Sequence, residues 1–351
     1  GDLPLVGLRL FVPIDETGVE AGAGWIVARL AERRISEAAR RLGADVSVRR
    51  TPDGNSYSVV GPRTDFDYLS YLLRLATSEP RAEFIADARS ELADALDGLL
   101  ETGPGQVELD LRMRTAAGPP LTGTPGSVAG LSAGTVLDLW SRTHRPERMT
   151  LLVSGRIETP LLLASLARLG ATDSTVPSRP DVAAPPEPAG PNLTLIRRFT
   201  GRAWAGLDAG DPVVPVLARL AARALRDAPG DVQARVVVWD AGSGPVLAAT
   251  GVAFPERFGE LDGALDGLLI AARDLALGDA FGQAVGEVRQ EWLLELGGML
   301  GRIETVGSDI DRSIRPDAAR ARLDALEALT PERVVDTIER LFGTSARVTV
   351  R

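Results

Sequence analysis

Residues 22–30 read Gly-Ala-Gly-Trp-Ile-Val-Ala-Arg-Leu, and they predict the first turns of a helix that is broken at Gly43. The segment that follows, residues 44–50, reads Ala-Asp-Val-Ser-Val-Arg-Arg, and its alternation of apolar and polar residues is typical of a half-buried strand. A helix followed directly by a strand is therefore the unit around which we expect the fold to be built. The apolar residues that recur at helical spacing are Ile26, Leu30, Ile35, Ala39 and Leu42.

The flanking residues extend this unit into a sheet. Leu8, Leu10 and Val12 recur at every second position, which predicts a half-buried strand ahead of the helix. A Pro-Asp-Gly turn at residues 52–54 joins the strand after the helix to another around Tyr57, which predicts a β-hairpin. Further helices and a short strand complete the pattern. We therefore expect an α+β domain, with helices packed on one face of a mostly antiparallel sheet.

The pattern occurs twice along the chain. Residues 131–142 begin with Leu-Ser and predict a helix that leads into a short strand, and residues 329–340 begin with Leu-Thr and do the same. Ser and Thr are both favourable N-caps. A second pair of matching segments, Arg-x-Glu, lies at residues 89–91 and 289–291, at nearly the same offset and in the same order of elements. Two such matches indicate an internal duplication.

A proline-rich segment at residues 173–191 separates the two copies. Proline fixes φ and removes a backbone donor, so this segment is predicted to be an extended linker. The expected organisation is an N-terminal domain at residues 1–172 and a C-terminal domain at residues 192–351.

The composition argues against several classes of function. A formal net charge of −9 argues against nucleic-acid binding, which needs a basic face. The chain has no cysteine and one histidine, His144, which excludes disulfides, thiolate metal sites and any metal site built on two histidines. No run of ~20 apolar residues predicts a membrane helix. The absence of cysteine fits a reducing compartment, so a cytoplasmic location is expected. His144 itself is interpreted as an ordinary loop residue.

The doubled order of elements resembles that of the M16 peptidases, the insulinase and mitochondrial processing peptidase type, and especially the half-length bacterial M16B subunits. Residues 22–30 resemble the glycine turn and the start of the motif helix of that family, and residues 42–48 resemble its edge strand. The spacing from the motif helix to the later glutamate helix is shorter than in the family. Further landmarks lie at residues 3–10 (opening strand), 88–92 (glutamate helix), 131–132 and 145–155 (close of the first domain).

Active members of that family carry His-x-x-Glu-His on the motif helix, where two imidazoles bind zinc, the glutamate activates water and a later glutamate completes the shell. The resemblance places Trp25 and Arg29 at the two histidine positions and Ala28 at the general-base position. An indole cannot ligate zinc, a guanidinium repels it, and a methyl group cannot accept a proton. Only Glu91 matches a ligand, and its alternative interpretation is an exposed helix residue near Arg89. We therefore expect neither bound zinc nor catalysis in this chain, with zinc only in a partner.

The resemblance also implies a substrate-binding apparatus. In the family, an arginine and a tyrosine of the second domain grip the substrate backbone and the developing oxyanion. Arg219 stands at the arginine position, for which an ordinary surface arginine is the alternative, and Gln233 replaces the tyrosine. Substrate peptides add as a strand to a sheet edge, which here corresponds to the strand containing Ala44, Val46 and Val48.

Two functional hypotheses follow from the resemblance. In the first, the chain is the non-catalytic subunit of a heterodimeric, bacterial M16B-type zinc peptidase. It would form half of a substrate chamber and help to bind unstructured peptides or leader peptides for a catalytic partner with an intact His-x-x-Glu-His. In the second, it is a stand-alone pseudo-peptidase with a structural or peptide-binding role, like the core subunits of respiratory complexes that resemble this family. An enzyme with different chemistry has little support, because the sequence suggests no nucleophile–base pair and no metal cluster.

Overall fold

The computed structural model describes residues 5–16, 18–115, 121–169, 197–226, 233–241, 244–313 and 317–350. The predicted linker at 173–191 lies outside these ranges. The elements of the first half are β1 (Leu5–Pro13), α1 (Ala23–Arg40), β2 (Asp45–Thr51), β3 (Gly54–Pro62), α2 (Phe66–Ala76), α3 (Ala82–Leu100), α4 (Gly103–Arg114), α5 (Pro125–Gly130), α6 (Ala133–Thr143), β4 (Thr150–Ser154) and α7 (Thr159–Leu169). Those of the second half are β5 (Arg198–Trp204), α8 (Val213–Arg226), β6 (Gln233–Trp239), β7 (Val246–Ala253), α9 (Phe258–Asp266), α10 (Leu268–Ala276), α11 (Ala280–Gly297), α12 (Met299–Ser313), α13 (Ala318–Glu327), α14 (Pro331–Leu341) and β8 (Ser345–Val350). Across these described elements, none is both long enough and apolar enough to serve as a membrane-crossing helix.

The strands form two four-stranded sheets, in the orders β2-β3-β1-β4 and β6-β7-β5-β8. Every pairing in them is antiparallel. In the first sheet, Leu10 of β1 lies opposite Tyr57 of β3 and Leu151 of β4. The predicted opening strand and the predicted hairpin are therefore confirmed, as is the α+β class.

The duplication is visible in the burial of two equivalent helices. Each helix packs a stripe of small and apolar residues against its sheet, and the two stripes occupy the same relative positions. The shared buried positions are Ala23, Gly24, Ile26, Val27, Leu30, Ala31 and Ile35 on α1, and Val213, Val214, Val216, Leu217, Leu220, Ala221 and Leu225 on α8. In this register, Arg29 of α1 corresponds to Arg219 of α8, and Arg33 corresponds to Arg223.

The two compact units of the structure are not continuous in sequence. One comprises residues 1–94, 121–188 and 294–318, and the other comprises residues 95–120, 189–293 and 319–351. The first sheet is covered by α12 from the second half of the chain, and the second sheet by α4 from the first half. The linear division into 1–172 and 192–351 does not describe these units, because a local sequence pattern does not show which sheet a helix covers.

Buried charge joins α12 to its sheet. The buried guanidinium of Arg9 on β1 lies 2.7 Å from Asp311 and 3.7 Å from Glu304. Gly307 of α12 makes room for it, since a Cβ at that position would come within 2.5 Å of the Arg9 side chain. Successive residues of a strand point to opposite faces. The face of β1 that carries Arg9 therefore receives α12, in addition to the helices expected on the other face.

The end of α1 differs from the sequence prediction in one detail. The helix ends at Arg40, and Leu42 is 37% exposed instead of extending the apolar stripe. Gly43 adopts a left-handed φ of +65°, and the Ala44 N–H donates to the Ala39 carbonyl at 3.1 Å. The chain reverses at this turn, so Leu42 does not reach the core.

Candidate functional site

Polar side chains hold the first turn of α1. The Glu16 carboxylate accepts a hydrogen bond from the Gly24 N–H and lies 3.4 Å from the guanidinium of Arg50, near the end of β2. Asn55 of β3 donates from Nδ2 to the Gly24 carbonyl at 3.0 Å. Burial raises the pKa of Glu16, and the positive charge of Arg50 opposes that shift. These contacts place Trp25, the residue after Gly24, beside the end of the edge strand.

A buried hydrogen-bonded chain continues behind this turn. The Tyr57 hydroxyl lies 2.8 Å from Nε2 of His144, and Nδ1 of His144 lies 3.0 Å from the Thr143 hydroxyl. The imidazole also stacks on Trp140, with ring centroids 5.8 Å apart. Burial lowers the pKa of His144 to about 3 and raises that of Tyr57 above its usual range. The interpretation of His144 as an ordinary loop residue is therefore wrong: it is a buried, neutral member of the core.

The three altered motif positions lie together on α1. Trp25 and Arg29 are half-buried, and Ala28 is buried between them. The Arg29 guanidinium donates to the carboxylate of Glu32, one turn further on, at 2.6 Å. The helix thus presents an indole and an arginine–glutamate pair, and no imidazole, at this place.

Glu91 of α3 faces α1 and forms an ion pair with Arg33. Its expected neighbour, Arg89, instead donates to the Leu131 carbonyl at 2.9 Å. The fold therefore brings the helix of the candidate third ligand against the helix of the altered motif. Within the described part of the chain, no group of three or more His, Asp or Glu side chains is placed to hold a metal ion. The residues at this position do not fit zinc.

Solved structures with the same architecture include two proteases. A protease from Helicobacter pylori matches with a TM-score of 0.80 at 10% identity, over 100% of this chain and 95% of that chain. The periplasmic protease PqqL from Escherichia coli matches with a TM-score of 0.73 at 13% identity, and this chain spans 43% of its length. A chain of complex III2 from Candida albicans, solved with Inz-5 bound, matches with a TM-score of 0.71 at 12% identity, over 99% of this chain and 91% of that chain.

The fold is M16 peptidase-like. No family model matches the sequence, and a search of curated proteins finds no match. The similarity to these solved structures therefore lies in the arrangement of helices and strands. At sequence identities of 10–13% it establishes the fold alone.

In the second half of this M16-like fold, Arg219 occupies the position on α8 that Arg29 holds on α1. Its guanidinium forms an ion pair with Glu291 of α11, and both side chains are about half exposed. Arg223, one turn further on, donates to Gln283 at 2.6 Å and to Glu287 at 2.5 Å. The two halves thus share one kind of contact. In each half, arginine of the first long helix (α1 or α8) pairs with glutamate of a later helix (α3 or α11).

The candidate edge strand is β2. It pairs with β3, and no described strand covers its other edge. Val46 and Val48 lie opposite Val59 and Tyr57 and are half-buried on the face towards α1, and Ala44 is buried just before the strand. These side chains belong to the packing of the unit, so the part of β2 that has no described neighbour is its outer backbone edge.

Gln233, the other predicted substrate-binding residue, is exposed at the start of β6. It lies at the mouth of a cavity of about 490 Å³ that is also lined by Phe199, Arg235 and Thr250. β6 is likewise an edge strand in the described part of its sheet. The cavity was not anticipated from the sequence, because it forms between α4 and residues of three strands.

Sequence reasoning also missed the polar core of the first unit. Glu16, Asn55, Tyr57 and His144 are far apart in sequence and meet only through the packing of the sheet on α1 and α6. One signal was available. Asn55 and Tyr57 alternate with the same period as Val59, which predicts a polar group on a buried strand face.

Proposed function

We propose that the protein is a non-catalytic, M16-like subunit that binds peptides for a catalytic partner. The observation that carries this proposal is the pairing of Glu91 with Arg33. The carboxylate expected to complete a zinc site lies against a guanidinium, while Trp25 and Arg29 stand at the positions of the imidazoles. A divalent cation there would meet the guanidiniums of Arg29 and Arg33, and the nearby carboxylates of Glu32 and Glu91 are already paired with them, which does not favour zinc binding.

Peptide binding is supported by the edge of β2. An extended peptide that adds to an edge strand gains main-chain hydrogen bonds without needing a particular sequence. Arg49 of β2 is exposed on this edge strand, and a peptide placed along β2 would pass the first turn of α1, because Gly24 lies against Arg50. Trp25 and Arg29 would then contact the peptide at the place where an active member cleaves it.

The partner in this proposal is an M16 peptidase subunit with an intact His-x-x-Glu-His, in a bacterial cytoplasm, and the substrates are unstructured or leader peptides. The chain would supply one half of the substrate chamber and contribute Arg219 to the grip on the peptide. Nucleic acid and membrane have no part in it.

The test is co-purification from the native host followed by reconstitution. We expect the isolated chain to contain no stoichiometric zinc by metal analysis and to leave a mixed peptide library intact, with hydrolysis appearing only when the captured partner is added. A stoichiometric zinc ion in the isolated chain, or turnover without a partner, would show that the proposal is wrong.

A second candidate function is a stand-alone structural or peptide-binding role. It is favoured by the similarity to a chain of complex III2, which extends over 99% of this chain. Capture of a stable assembly that contains no subunit with His-x-x-Glu-His would support this alternative over the first.

A further inference from the structure

The cavity beside β6 lies on the face of the second sheet that carries α4, and two glycines let α4 lie close to that sheet. A Cβ at Gly201 of β5 would come 2.6 Å from Leu111 and 2.8 Å from Val107 of α4. A Cβ at Gly103 would overlap the Phe199 ring, so the first turn of α4 rests on that ring. The helix is thus held over β5, and the cavity is the space that remains between α4 and the edge strand β6.

The inside of this cavity is mainly apolar. Phe199 and Val252 lie side by side on β5 and β7, and Gln233 is next to them on β6. Pro104 and Val107 line the cavity from α4. The volume of about 490 Å³ is within the range usual for sites that bind small molecules. A compact apolar group is therefore the part of a ligand that this cavity can enclose.

One cation stands at the edge of the cavity. Among the described residues that line it, Arg235 is the one that carries a charge, and its side chain is 59% exposed. Its contacts with the Glu108 carboxylate at 3.3 Å and with the Thr250 hydroxyl at 3.4 Å are longer than usual hydrogen bonds. These contacts use Nε and Nη2, and a guanidinium has five N–H donors, so Arg235 can also bind an incoming anion.

The Glu108 carboxylate does not cancel this positive charge. It also accepts from Arg112 at 3.3 Å, so one carboxylate serves two guanidiniums. Arg112 lies over the Trp239 ring, 4.5 Å from its centroid, and Arg235 is therefore the cation that a ligand in the cavity can reach. A guanidinium pairs with a carboxylate through two parallel N–H···O bonds. A phosphate group would bring a further negative charge close to Glu108, so the local charge favours a carboxylate.

We propose that this cavity binds a small monocarboxylate with an apolar tail, such as a medium-chain fatty acid. The tail lies against Phe199 and Val252, and the carboxylate pairs with Arg235 and accepts a hydrogen bond from the Thr250 hydroxyl. The site is separate from the edge of β2, and it needs neither a peptide nor a catalytic partner.

Three ligands with the same tail and different head groups test the proposal on the full chain. Isothermal titration calorimetry compares octanoate with octan-1-ol and with octylammonium. We expect octanoate to bind at least about tenfold more tightly than octylammonium, with octan-1-ol between them, and more weakly as salt is raised. Octanoate should also slow amide hydrogen exchange in β6 and in the first turn of α4, which locates the site without any substitution.

Two substitutions and a matched control complete the test. Arg235→Glu should weaken octanoate by about tenfold and make octylammonium the preferred ligand. Val252→Trp fills the cavity with an apolar side chain, and it should weaken all three ligands. Arg320→Glu makes the same charge change on an exposed arginine that does not line the cavity, and it should have no effect.

Three outcomes would overturn the proposal. One is octanoate binding no tighter than about 1 mM to the unaltered chain, and another is equal binding of octanoate and octylammonium. The third is slowed amide exchange that appears only outside β6 and α4, since octanoate would then occupy a different site. If Val252→Trp fails to fold, the head-group comparison and the exchange measurement on the unaltered chain still decide the question.

Discussion

Arg33 of α1 forms an ion pair with Glu91 of α3, and Arg219 of α8 forms one with Glu291 of α11. The two pairs join corresponding helices of the two halves. Each half therefore has an arginine–glutamate bridge between its first long helix and a later one, although Arg33 and Arg219 lie one helical turn apart in the shared register. Glu91 has a role in this structure that needs no metal, since it holds α3 against α1.

Restoring the motif should therefore be insufficient for tight zinc binding. We expect the triple variant Trp25→His, Ala28→Glu, Arg29→His to bind zinc weakly and to cleave no peptide, because Arg33 still neutralises Glu91. Adding Arg33→Met should tighten zinc binding by about tenfold, a typical effect of a group in contact with a ligand. Isothermal titration calorimetry with zinc measures both. The control adds Arg223→Met, the equivalent change in the second half, to the triple variant. Tight binding of one zinc by the triple variant alone would contradict this account of Glu91.

The exchanged helix α12 should depend on Arg9. Arg9→Met removes the buried guanidinium that pairs with Asp311 and Glu304, and we expect a loss of about 3–5 kcal/mol in the free energy of unfolding of this unit. Amide hydrogen exchange should show the loss first as deprotection of α12. The comparison is Arg320→Met, whose side chain is 86% exposed. Unchanged protection of α12 in Arg9→Met would show that apolar packing alone holds the helix.

Histidine titration offers a direct test of the polar core. The pKa of His144 is about 3 in the fold against 6.5 when exposed, so the unfolded chain binds a proton between these values that the folded chain does not. The contribution of His144 to stability is therefore complete above pH 6.5 and falls as the pH drops towards 3, by about 1.4 kcal/mol per pH unit. Because His144 is the single histidine, its Cε1–H resonance should show no titration between pH 8 and pH 5. A midpoint near pH 6.5 would mean that the ring is hydrated and the hydrogen bond to Tyr57 is not kept. His144→Gln should flatten the dependence of stability on pH.

Gly24 should not tolerate a side chain. A Cβ there would come 2.6 Å from Glu16 and 3.0 Å from Arg50, so Gly24→Ala should destabilise the protein by about 1–3 kcal/mol through overpacking. Gly98 of α3 has open space around the same position, and Gly98→Ala should stabilise by about 0.5–1 kcal/mol because alanine favours the helix. Urea denaturation of the two variants measures the contrast. Equal effects in the two variants would argue against a tightly packed first turn of α1.

How much of the structure the sequence could predict depends on how far apart in the chain the interacting residues lie. Helical and strand periodicity are local, so the start of α1 and the β2–β3 hairpin were predicted close to their observed bounds. The end of α1 was misplaced at Leu42, because an apolar residue after the last turn looks the same in sequence as one within it. Glu91 was correctly placed on a helix near the motif helix, but its partner was not Arg89.

The sequence by itself determined the doubled α+β architecture and the side-chain types that α1 carries at positions 25, 28 and 29, because periodicity and side-chain type are properties of neighbouring residues. Only the tertiary structure decided that Glu91 meets Arg33, that His144 is buried beneath Tyr57, and that α4 and α12 each cover the sheet of the opposite half. Each of these joins residues far apart in the chain, and such contacts are selected by burial and charge neutralisation in the packed molecule.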